Sequence, residues 1–145
     1  MPLAVARARP LFLSDATVAR LSCWVPRAAH EIALNHKKQL AVEFLAARYA
    51  DLRAQMDKLD FALAAPQRVE ALELKITGAR YCSIQGHLAM SIKLEDNNGK
   101  RNTLYERSLM DMPPVDSDEQ YTIDDVLIRQ WHEADLFVGL ASGVN

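Results

Sequence analysis

The stretch that most constrains this fold is Val126-Leu127-Ile128-Arg129-Gln130-Trp131-His132-Glu133-Ala134-Asp135-Leu136-Phe137-Val138-Gly139-Leu140. A run rich in β-forming residues closes on a Trp, a polar stretch follows, and a short apolar run returns. That pattern predicts a β-hairpin with strands over 126–131 and 136–141. Trp131 is expected to be a structural anchor, because an indole spreads a large apolar area across a hairpin and lets its N–H find a partner at the edge.

The period-two pattern begins earlier. Leu72, Leu74 and Ile76 alternate with Glu73, Lys75 and Thr77 up to Gly78, which predicts a strand from about residue 69. Leu88, Met90, Ile92 and Leu94 share one face of a second strand. Asn97-Asn98-Gly99 is a strong turn signal, since Asn and Gly supply positive φ readily. Residues 103–108 then pair back as a third strand, and 110–125, with Pro113-Pro114 and six acids, reads as irregular. The sum is a five-stranded antiparallel meander.

Ahead of the strands, 27–65 contains neither Gly nor Pro. Ile32, His36, Leu40 and Phe44 recur every four residues, then Tyr49, Leu52, Met56 and Leu59 recur at helical spacing. One helix over 28–60 would run about 50 Å, long for a domain whose radius of gyration should be about 15 Å. Two helices are therefore expected, at 28–45 and 49–60. The fold class is α+β, two N-terminal helices packed on a roughly five-stranded antiparallel sheet. The first stripe (Ile32, His36, Leu40, Phe44) is the candidate interface, because one helix suffices to cover the inner sheet face and the other keeps apolar surface for a protein partner or a second copy.

Charge divides the chain. Four of its 17 bases and one of its 19 acids fall in residues 1–27, making that head basic and the remainder acidic. It is expected to be a poorly ordered basic leader to a single domain over 28–145. A net charge of -2 argues against a general nucleic-acid binder. The early apolar stretch, 10–25, is interrupted by Asp15 and Arg20, which makes it neither a transmembrane span nor a convincing signal peptide.

Chemistry-bearing motifs are sparse. Cys23 and Cys82 are too few for a disulfide framework. His30 and His36 lie about 240° apart around a helix and face different ways. Cys82 and His87 are weak candidates for a metal- or small-molecule-binding module, since an odd separation along one strand opposes them unless Gly86 introduces a bulge. The acid-rich loop lacks the Gly and Glu that a calcium loop places at its sixth and twelfth positions, here Tyr121 and Leu127. No nucleophile elbow, catalytic-cysteine signature or phosphate-cradling Gly loop occurs, so no cofactor and no enzymatic activity are expected.

Several segments taken together do carry a resemblance. Glu31-Ile32-Ala33-Leu34-Asn35-His36 is followed by Tyr49-x-x-Leu52-x-x-x-Met56-x-x-Leu59-Asp60-Phe61. Further along come Gly78-Ala79-Arg80-Tyr81-Cys82-Ser83-Ile84-Gln85-Gly86, the pair Leu104-Tyr105, and the closing hairpin. Over about residues 30–141 this resembles the periplasmic domain of bacterial transmembrane anti-sigma-factor-like proteins. The resemblance implies a non-enzymatic extracytoplasmic sensor or regulatory domain acting through protein contacts in a sigma-factor system. It implies a periplasmic or inner-membrane-associated location. A membrane helix precedes the domain in that group, where this chain has Asp15, Arg20 and Pro26.

Overall fold

The computed structural model describes residues 15–112 and 118–143, with only the backbone of 15–23. A 24-residue helix, α1 (Asp15–Lys38), is followed by the short strand β1 (Phe44–Leu45) and two brief helices, α2 (Tyr49–Gln55) and α3 (Gln67–Glu70). Six further strands complete the chain: β2 (Lys75–Ile84), β3 (His87–Glu95), β4 (Arg101–Ser108), β5 (Glu119–Ile123), β6 (Val126–Glu133) and β7 (Leu136–Ser142). They form one seven-stranded sheet in the order β1-β2-β3-β4-β7-β6-β5, with every neighbouring pair antiparallel.

The sheet is covered on both faces, which decides where its polar residues end up. Alternation along β4 sends Leu104 to one face and Tyr105 to the other. Leu104 joins Ile92, Trp131, Val138 and Leu140 under the chain that carries Leu52, Met56 and Leu63. Tyr105 joins Ile128 and Phe137 under α1, which contributes Ala28, Ala29, Ile32 and Ala33. The helix comes this close because residue 139 is glycine: a Cβ there would lie 2.6 Å from Ile32 Cδ1. Tyr105 Oη donates to the Ile32 carbonyl at 3.5 Å from the neighbouring strand.

The hairpin is present with Trp131 opposite Val138, but its strands run to Glu133 and resume at Leu136, so the turn has two residues. The remaining differences from the sequence reading have physical causes. The described residues hold seven strands, and β7 returns between β4 and β6, so the sheet is not a simple meander. β5 lies inside the stretch read as irregular; its turn into β6 is Asp124-Asp125, both at positive φ (50° and 67°), a conformation that Asp tolerates better than most residues. Val69 belongs to α3, Leu72 is 49% exposed, and β2 starts at Lys75.

The helices differ more. α1 begins at Asp15 and passes through Pro26, so the latter half of the expected leader is helical; residues 1–14 lie outside the described residues. It stops at Lys38, where Gln39 takes φ 52°, and α2 ends at Gln55. No helix among the described residues is long and apolar enough to cross a membrane.

Candidate functional site

The last turns of α1 end above strands β2, β3 and β4, on the face that α1 covers. His36 is buried there. Its Nε2 is 2.7 Å from the Gly143 carbonyl and its Nδ1 is 2.8 Å from Thr103 Oγ1. A carbonyl only accepts, so Nε2 carries the proton and Nδ1 accepts from the hydroxyl. Burial holds the imidazole below its ordinary pKa; the Gly143 bond opposes this and Arg101 adds to it. Arg101 donates through Nη1 to the His36 carbonyl at 2.7 Å, satisfying a backbone acceptor that the end of the helix leaves open.

Two more cations share this face. Arg80 donates through Nη1 to the Ala41 carbonyl (2.7 Å) and through Nε to the Tyr81 carbonyl (3.3 Å). The Lys93 ammonium has no hydrogen-bond or ion-pair partner among the described residues. It is held below the usual lysine pKa, first by burial and then by Arg101 and Arg80. Strand register assembles the trio: Arg80 pairs with Ser91, two residues from Lys93, and Lys93 pairs with Thr103, two residues from Arg101.

The three cations line a cleft of about 20 Å³ together with Asn35, Gln39, Leu40, Ser91, Thr103 and Tyr105, and none of these is acidic. Beside it, sharing Asn35, Leu40 and Arg80, lies a depression of about 330 Å³ that also takes in Leu34, Lys38, Cys82 and Ser83. Glu31 is the one carboxylate on its rim, and it already accepts from the Gln85 backbone N–H at 2.9 Å and from the Gln85 side chain. The arrangement is a cationic, hydrogen-bonding inner end that opens onto a partly apolar shelf.

The candidates read from sequence are dispersed. Ile32 is 0% exposed and His36 is buried, both against this chain's own sheet, so neither is available as contact surface. The four-residue spacing does not continue as a helix: Leu40 lies past the end of α1, 39% exposed in the cleft wall, and Phe44 is in β1, edge-on to Tyr81 with ring centroids 5.4 Å apart. Ile32, His36, Leu40 and Phe44 therefore do not form one outward stripe.

Cys82 is a free, half-buried thiol that lines the shelf, and burial pushes it up to about 12 against the opposing influence of Arg80. His87 is on the next strand, because Gln85-Gly86 is a tight turn instead of a bulge, and its Nε2 lies 2.8 Å from Asp60 Oδ2. Among the described residues no three His, Cys, Asp or Glu side chains are grouped to hold a metal ion. Trp131 is 4% exposed, donates through Nε1 to Glu133 Oε1 at 3.2 Å, and has the Arg68 guanidinium 5.0 Å above its ring.

Two further charged residues escaped the sequence reading. Arg107, buried on the α1 face, donates to the carbonyls of Ile84, Ser108 and Met110. Glu106, on the opposite face, is 0% exposed. Its Oε2 accepts from Tyr49 Oη at 3.4 Å, while Oε1 has no partner among the described residues. Burial raises this carboxyl to about 8, against bonds from Tyr49 and the Ala64 backbone; Glu133 nearby raises it further. Comparison of the chain with protein-family models, curated proteins and solved structures found no match.

Proposed function

We propose that this chain is a non-enzymatic sensor or regulatory domain of the kind found in bacterial anti-sigma-factor-like membrane regulators, acting through protein contacts at the periplasmic side of the inner membrane. The observation that carries the reading is where the resembling segments meet. The Glu31–His36 segment lies on the Leu104-Tyr105 strand and the closing hairpin, with Tyr105 Oη on the Ile32 carbonyl and Gly139 admitting Ile32. Leu104 pairs with Leu140, Tyr105 with Gly139, and Trp131 with Val138. Segments spread over more than a hundred residues thus make one packed unit, which supports their being a single signature. His36 and Arg107, two of its buried titratable groups, are spent on holding that unit together.

The competing reading, a small-molecule-binding module, is favoured by the groove, although its centre is the cation trio and not Cys82 with His87. Sensor and binding module are compatible if the groove is the sensor's input. The regulatory reading is tested by overproducing the chain in its source cells and profiling transcripts. A change confined to the promoters of one alternative sigma factor is the expected result, and an unchanged transcriptome overturns the proposal.

A further inference from the structure

Two of the three cations, Arg80 and Lys93, are costly to the fold as it stands. Placing like charges on one partly desolvated face destabilises a protein unless a counter-charge is supplied. Among the described residues neither Arg80 nor Lys93 has an acidic partner. Arg101 is on a helix-end carbonyl and Arg80 is on two loop and strand carbonyls. Arg80 Nη2 and Lys93 Nζ keep their donors without a partner among the described residues. The partial negative charge at the end of α1, about half an elementary charge, is too small to offset Arg80 and Lys93 as well. Ser91 adds a hydroxyl at the same place, while that of Thr103 already donates to His36. The inner cleft, at about 20 Å³, has space for an atom group and not for a whole ligand, whereas the adjoining shelf of about 330 Å³ is flanked by Leu34 and Leu40.

We propose that this groove binds a phosphate group, with Lys93 Nζ and Arg80 Nη2 donating to its oxygens, Arg101 adding charge from the end of α1, and the shelf receiving the organic remainder of a phosphomonoester. Guanidinium and ammonium groups together are the side chains suited to such an anion. A dianion matches the charge of Arg80 and Lys93, and the leucines add affinity for an apolar body. As the input of a sensor, the site rests on the regulatory reading above; as a phosphate site it stands without it.

The test uses the full chain with inorganic phosphate and phenyl phosphate as probes, against chloride at matched ionic strength. At about ten times its Kd a bound anion raises Tm by roughly 5 °C. Wild type should show that rise, with phenyl phosphate binding several-fold tighter than inorganic phosphate. Lys93→Gln should lose the rise while melting no lower than wild type in chloride, because it removes the unpaired cation. Lys75→Gln, exposed at the start of β2, should keep it. As a second measurement, phosphate should shift the amide resonances of Asn35, Ser91 and Thr103 but not the Trp131 indole. Equal responses to phosphate and chloride, or a Lys93→Gln chain that responds like wild type, overturn the site and leave the transcript experiment to judge the regulatory reading separately.

Discussion

Glu106 makes stability fall as pH rises through neutrality, against the direction expected of most carboxylates. Its carboxyl titrates at about 8 in the folded chain and at 4.5 when freely solvated. The folded state therefore holds a proton that the unfolded state gives up, so the full contribution of this residue is present below pH 4.5 and is lost as pH rises towards 8. Between pH 5 and pH 8 that linkage amounts to roughly 3–4 kcal/mol, or about 10 °C in Tm for a chain of this size. His36 acts in the opposite sense. Its folded pKa is depressed, so its contribution is intact above about pH 6.5 and is lost on acidification. Glu106→Gln keeps the acceptor for Tyr49 and the Ala64 backbone but puts an amide NH2 where Oε1 has no partner, a pH-independent cost of about 1–3 kcal/mol. The slope is thus the diagnostic and the offset is not. Thermal melts followed by circular dichroism from pH 5 to 8 should show wild type losing Tm with rising pH, and Glu106→Gln flat or gaining slightly as His36 takes over. Parallel profiles for the two proteins would refute the buried-carboxyl argument.

Two further outcomes follow from burial. Trp131→Ala removes a core ring, its Glu133 bond and its Arg68 contact, and should cost about 3–5 kcal/mol in a chemical-denaturation experiment; an unchanged midpoint would place the ring outside the core. Cys82, its thiol held up to about 12, should react with iodoacetamide at pH 8 at least tenfold more slowly than a free cysteine, and reaction at the free-cysteine rate would show an open, activated thiol.

What could be read from the sequence was what local pattern encodes. The β6–β7 hairpin was legible because apolar alternation, a Trp and a turn coincide within fifteen residues. α1 starts well before the expected residue 28, because a helix long enough to be held by packing on the sheet tolerates the loss of one N–H bond at Pro26. Phe44 looked helical only because four-residue spacing continued past Gln39, whose positive φ ends the helix without the glycine that usually signals it. β5 was missed because an edge strand needs little apolar residue and its Asp-Asp turn lacks glycine.

The site was hidden for a different reason. Arg80, Lys93 and Arg101 occupy separate strands, so no spacing rule joins them; only the register of β2, β3 and β4 does. Glu106 and Arg107 were hidden by the architecture. Alternation is usually read with one face in water, which sends polar residues outward. β4 is central in a sheet covered on both sides, and from Thr103 to Ser108 every residue is buried. In such a strand a polar residue has no outward face to occupy and must be neutralised, hydrogen-bonded or matched to a ligand. Arg107 is hydrogen-bonded to three carbonyls, and Glu106 is neutralised by holding a proton. Lys93, half-buried on the neighbouring strand, has no partner for its ammonium among the described residues. That contrast between two charges partnered or neutralised inside the fold and one without a partner among the described residues is the reason to look for an anion at Lys93.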